Sequence, residues 1–237
     1  MQYASRMTSE ESAVDTSAAT WREQAVARSL DSARLRAESR LQRFLDAAFE
    51  LINTGGNDFT VQEVVERSGQ SLRSFYQYFG GKQELLLALF EESVRSTAVR
   101  LAERVYREED PLSRLHAFVI EYYKMCRPAR PGKPVKSGPP PMLVDFAQQL
   151  LTAQPKEAAR AFGPLVSLFE EVFAEASAAG RIRSDISQRR IAGIILEAIM
   201  FNVFSATIGG APLEGDGVDP AEELWDLLLN GMRPSKS

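Results

Sequence analysis

The chain has 237 residues, 44% of them hydrophobic and 25% charged, with a formal net charge of −4 at pH 7. That composition excludes disorder over most of the length, and near-neutrality means that any basic surface is local. One cysteine, Cys126, and one histidine, His116, exclude an internal disulfide and a Cys/His zinc cluster, so no metal and no cofactor is expected.

Residues 1–20 are rich in Ser, Thr, Ala and acids and contain no apolar run of the kind a secretory leader needs. The expected location is cytoplasmic, with no membrane association. Between Trp21 and Phe44 the composition shifts: Arg22, Arg28, Arg34, Arg36, Arg40 and Arg43 face only Glu23, Asp31 and Glu38. Residues 1–36 read as a flexible, Arg-containing extension whose arginines offer a minor-groove or phosphate contact.

Leu41, Phe44, Leu45, Ala48, Leu51 and Ile52 follow the spacing of one helical face, which predicts a first helix of about four turns closed at Gly55-Gly56. Thr60-Val61-Gln62-Glu63 is a capping box opening a short second helix that Ser68-Gly69 ends. A third helix from Ser71 through Phe79 stops at Gly80-Gly81. Three helices of these proportions over residues 37–81 define a helix-turn-helix module. On the third, Phe75, Phe79 and Leu72 point together, while Arg73, Ser74 and Gln77 share the opposite side with Tyr76 flanking it. Arg is the commonest reader of guanine and Gln can read adenine, so this side suits a DNA major groove. Lys82 stands at a helix N-terminus, where the dipole disfavours a cation, and so points to an outside anion such as a phosphate.

Residues 82–237 predict further helices: Lys82 to about Tyr106, one from Pro111, Met142–Gln154, Pro155–Ala179 stopped by Gly180, Gln188–Thr207, and Pro220–Met232. The fold class is therefore all-α, a helix-turn-helix domain followed by a larger helical domain over residues 82–237. Residues 127–141 break the pattern with six prolines and two glycines. There Arg127, Arg130, Lys133 and Lys136 recur every third residue, the repeat of a polyproline II helix, and could line a lid over the phosphates of a coenzyme A thioester. Ile191–Ile208 is apolar nearly all round, so one side meets its own domain and another side meets something else.

The stretch from Leu41 to Phe90 resembles the DNA-binding domain of the TetR family of bacterial transcriptional regulators. The carrying residues are Ala47-Ala48-Phe49, Phe59-Thr60-Val61, Ser68-Gly69 and Ser71-Leu72-Arg73-Ser74-Phe75-Tyr76-Gln77-Tyr78-Phe79-Gly80-Gly81-Lys82, with Glu84-Leu85 following. The resemblance implies phosphate contacts at Thr60, Tyr76 and Lys82 and operator-reading positions at Leu72, Arg73, Ser74 and Gln77. Ser71 and Arg40 complete the expected DNA-contacting set. Gln70 departs from the β-branched apolar residue usual in the turn. The passage Ala178-Ala179-Gly180-Arg181-Ile182 into Ile191-Ala192-Gly193 resembles the entry to that family's last two helices, which implies a homodimer through Ile191, Ile195, Ile199, Leu224, Trp225 and Leu228. Two such subunits would read a pseudo-palindromic double-stranded operator.

From the same resemblance, some of Phe118, Tyr122, Met125, Met142, Phe146, Phe169, Phe173, Met200 and Phe204 are expected to line a pocket. Its ligand would be an apolar small molecule: a lipid, acyl-CoA, sterol-like or aromatic compound. His116 and Cys126 are read as packing residues, and no nucleophile elbow or phosphate-binding glycine loop occurs, so no catalytic residue is assigned. The reading is a ligand-responsive regulator, most simply a repressor; its rival is an all-helical lipid-binding or catalytic module that does not bind DNA.

Overall fold

The computed structural model describes residues 20–55, 59–127, 141–185, 187–208 and 219–232. Nine helices are found among them: α1 Trp21–Gly55, α2 Val61–Ser68, α3 Leu72–Tyr78, α4 Lys82–Val105, α5 Pro111–Cys126, α6 Pro141–Ala153, α7 Pro155–Ala178, α8 Gln188–Ile208 and α9 Pro220–Met232. Several boundaries are set by local chemistry. Asp110 caps α5 by accepting from the Ser113 N–H at 3.0 Å, ahead of Pro111. Gly180 takes the left-handed φ of 70° after α7, and Asp219 accepts from the Ala221 N–H at 3.0 Å at the start of α9.

The chain divides into two compact units, residues 1–43 and 44–237. In the first, α1 starts at Trp21, about 20 residues ahead of the stripe that predicted it, so residues 21–36 are helical and not a flexible extension. Arg, Ala, Glu and Leu dominate there, and their helix propensity suffices without a packed face. Nearly every side chain up to Arg43 is exposed, Trp21, Val26, Leu30 and Leu35 included.

In the second unit α7 packs against α4, α5, α6 and α8, and α5 also against α8 and α9. The centre is aromatic: Phe118 meets Phe169 edge-on at 5.1 Å, and Phe169 stacks on Phe173 at 5.8 Å. Polar ties pin the helix ends. Arg114 on α5 donates to Glu175 on α7 at 2.8 Å, and His116 on α5 lies 2.8 Å from Glu222 on α9. No charged or polar residue is fully buried among the described residues. No described helix is long and apolar enough to cross a membrane.

Candidate nucleic-acid interface and cavity

The end of α1 from Phe44 onward, α2 and α3 are held together by an aromatic cluster. Phe44 and Phe75 are fully buried and meet edge-on at 5.5 Å; Phe79 lies 6.2 Å from Phe44 and 5.2 Å from Phe75. Such pairs stabilise by roughly 0.5–1.5 kcal/mol beyond area burial. The expected capping box is formed: Thr60 Oγ1 accepts from the Glu63 N–H at 3.2 Å, and Glu63 accepts from the Thr60 N–H at 2.7 Å. Gly69 then turns the chain with φ 64°, its N–H reaching the carbonyls of Glu66 and Val65. Ser71 caps α3 by accepting from the Ser74 N–H at 3.1 Å.

This frame leaves Arg73 and Gln77 exposed, with Leu72 at 43% and Tyr76 at 57% exposure. Tyr76 is anchored by its ring, edge-on to Phe75 at 5.5 Å, so its phenol is presented outward on a fixed base. Three expected contacts sit differently from the helix wheel. Ser74 is half-buried, and its hydroxyl oxygen is cut off from water with no hydrogen-bond partner among the described residues. Because α3 packs along α2 as well as on its aromatic face, its outward sector is narrower than the wheel of a lone helix suggests. Thr60 already donates its hydroxyl hydrogen to Glu63 at 2.8 Å. Lys82 Nζ lies 4.4 Å from the centre of the Phe59 ring, and Glu84 stands in the same first turn, so the cation also has favourable partners within the chain. Arg40 is exposed on α1 in the first unit.

The second feature is an open cavity of about 360 Å³ among α6, α7 and α8, with Tyr122 of α5 at its wall. Leu151, Ala158, Ala159, Phe162, Val166, Leu196 and Met200 make it apolar, and Ser167, Glu170, Arg189 and Glu197 supply polar groups. Of the expected pocket residues whose side chains are described, Tyr122 and Met200 line it. Phe118, Phe169 and Phe173 are fully buried against one another, Phe146 packs 6.1 Å from Phe90, Met142 is buried and Met125 half-buried. The largest aromatics fill space instead of leaving it. The opening comes from small residues on facing helices, Ala158, Ala159 and Gly163 on α7 and Gly193 on α8, a signal that was present in the sequence.

The Phe204 side chain and residues 128–140, with Arg130, Lys133 and Lys136 of the expected lid, lie outside the described residues. Burial pushes the Cys126 thiol up to about 12, and the neighbouring Tyr122 phenol is raised well above its ordinary value, mainly by burial and then by Cys126. Neither is poised for chemistry, and no group of His, Cys, Asp and Glu among the described residues could hold a metal ion.

The expected dimer residues divide in the same way. Ile195, Ile199 and Trp225 are buried within this chain, and Ile191, Leu224 and Leu228 are half-buried. Among the described residues, the large apolar groups exposed on α8 and α9 are Ile194 at 55%, Phe201 at 44% and Leu227 at 71%.

A short helix set on a turn after a capped partner, its aromatic face buried and its polar face bare, defines a helix-turn-helix protein with an appended helical body. The sequence model of bacterial regulatory proteins of the tetR family matches residues 44–89, the segment that builds this frame. The match takes in α2, α3 and the start of α4 and covers about a fifth of the chain. It is 32% identical over 81 residues to the HTH-type transcriptional regulator BetI of Brucella anthropi, an alignment spanning 34% of this chain and 42% of that protein, less than half its length. The fold extends further. A TetR-family regulator from Pectobacterium atrosepticum matches 86% of this chain and 99% of its own with a TM-score of 0.65 at 17% identity. Thermus thermophilus FadR, a TetR-family repressor solved with lauroyl-CoA, matches 83% of this chain and 97% of its own at 0.60 and 22%.

Proposed function

We propose that the chain is a dimeric, ligand-responsive transcriptional regulator, a repressor that leaves a pseudo-palindromic operator when an apolar-bodied small molecule occupies the α6–α8 cavity. The observation that carries the DNA-binding part is α3 itself. Its aromatic face is consumed by Phe44, while Arg73, Tyr76 and Gln77 stand out from a capped, rigid two-turn helix. In the major groove Arg73 reads guanine and Gln77 adenine, with Leu72 against a thymine methyl and Tyr76, Ser71 and Lys82 on phosphates. The cavity favours an amphipathic occupant, its chain on Leu151, Phe162 and Leu196 and an anionic head near Arg189; an acyl-CoA has that chemistry, and FadR of Thermus thermophilus was solved with one. Dimerisation through Ile194, Phe201 and Leu227 would cover the exposed apolar faces of α8 and α9. The protein would act in the cytoplasm, where its operator lies.

The test is selection of bound sequences from random duplexes, followed by titration of the winner and a scrambled duplex with native protein and Arg73→Ala. The native protein should lose affinity steeply with added salt, and Arg73→Ala should lose about 1–3 kcal/mol of discrimination, roughly five- to 150-fold, at one base pair. Binding that ignores both salt and Arg73 would overturn the reading.

A further inference from the structure

The first unit carries a charge pattern that the helix-turn-helix frame does not use. At about 100° per residue, Arg22, Arg28, Arg36, Arg40 and Arg43 of α1 fall within one sector about 120° wide. Ser29, Ser32 and Ser39 share that sector with Ala25 and, at the helix start, Trp21, and no carboxylate between Trp21 and Arg43 enters it. Glu23, Asp31 and Glu38 occupy the far side with the remaining cation, Arg34, which is paired to Glu38 at 2.7 Å. All five arginines of the stripe are exposed. The stripe is about 31 Å long at 1.5 Å per residue.

We propose that this arginine stripe is a second nucleic-acid contact surface, one that grips the phosphate backbone of duplex DNA without reading sequence. The proposal rests on the regulator reading above. Guanidinium groups stay charged and match phosphate oxygens bidentately, and duplex DNA offers about one charge per 1.7 Å of axis along such a stripe. The segregation of charge favours DNA over a lipid surface. A helix lying on phosphates with its arginines down holds Glu23, Asp31 and Glu38 in solvent. Burying its one continuous apolar sector, Val26, Leu30, Ala33 and Ala37, in an anionic bilayer would draw those carboxylates to the headgroups, because the sector lies between the two charged sides.

The experiment compares the full-length protein with the triple variant Arg22→Gln, Arg28→Gln, Arg36→Gln and with Arg34→Gln on the opposite face, on the selected and the scrambled duplex across a salt series. The triple variant should flatten the slope of log affinity against log salt by up to about 2.7, three contacts at about 0.9 each, equally on both duplexes. Discrimination between the duplexes should be unchanged, and Arg34→Gln should match the native slope. Replacing the same three arginines by lysine should restore most of the slope. Circular dichroism should report equal helix content in all variants. A native slope in the Gln variant, no recovery with lysine, or binding to phosphatidylserine vesicles with the DNA slope intact would each overturn the proposal. If the native protein shows no salt-dependent DNA binding, or Arg73→Ala keeps full selectivity, it is the regulator reading that falls.

Discussion

If the aromatic cluster is what fixes α3, Phe75→Ala should release that helix while leaving the helical body folded. Phe75 is fully buried and has three ring neighbours, Phe44 at 5.5 Å, Tyr76 at 5.5 Å and Phe79 at 5.2 Å. Burial of a Phe side chain stabilises by about 1.5–3 kcal/mol, and a truncation that leaves a cavity raises the total to about 3–5 kcal/mol. Three rings lose a partner at once, which puts the expectation in the upper part of that range. Native-state hydrogen exchange measures it locally: amide protection over residues 61–79 should drop by about three decades, at roughly 1.4 kcal/mol per decade, with α5 and α7 amides unchanged. Pairing Phe75→Leu with Phe44→Leu in a double-mutant cycle should give a coupling of about 0.5–1.5 kcal/mol. A loss of protection below tenfold would refute the argument that this cluster positions the polar face of α3.

Gly69→Ala places a Cβ at φ 64° with open space around it, so only backbone strain is added, and stability measured by thermal unfolding should fall by about 1–2 kcal/mol, less for Gly69→Asn. Cys126 should resist alkylation. With its pKa raised to about 12 by burial, roughly one thiol in ten thousand is ionised at pH 8, so iodoacetamide labelling should be far slower than in denaturant and should rise only as the pH approaches 12. Rapid labelling of the folded protein at pH 8 would contradict that environment.

What the sequence made legible was whatever has a local cause. The Thr60 capping box, the Asp110-Pro111 and Asp219-Pro220 starts and the left-handed Gly69 and Gly180 are short-range chemistry, and each appears where the residues call for it. The inward Phe75 and Phe79 follow from period alone. Residues 21–36 escaped because the reading looked for an apolar stripe, and this part of α1 is helical by propensity with no side buried. The pocket and dimer residues were less legible for a different reason. Periodicity says that a side chain points inward but not toward which neighbour, so Phe118, Phe169 and Phe173 could be core or cavity wall until the helix pairings were known. Ile194 and Ile195 are adjacent in sequence, yet the first is 55% exposed and the second 1%.

The helix pairings also bear on how an occupant of the cavity could be felt at α3. α7 contains Pro164, which cannot donate the backbone bond an interior position owes to residue 160, so the helix is weakest at Arg160–Pro164. That turn supplies Phe162 and Gly163 to the cavity wall. The same turn is tied to α4: Phe162 meets Phe90 edge-on at 5.3 Å, and Arg160 pairs with Glu91 at 2.8 Å. α4 in turn begins where α3 ends, with Glu84 accepting from the Gly80 N–H at 2.7 Å and Lys82 on the Phe59 ring. Under the proposed reading, a ligand that displaces Phe162 acts on the softest turn of α7 and on α4 together. Because α4 is a continuous helix of 24 residues, a tilt at Phe90 is carried to Gly80 instead of being absorbed between them. The equilibrium then shifts only by the ligand's difference in affinity between the two tilts, so tight binding that left Phe162 in place would have no effect on DNA.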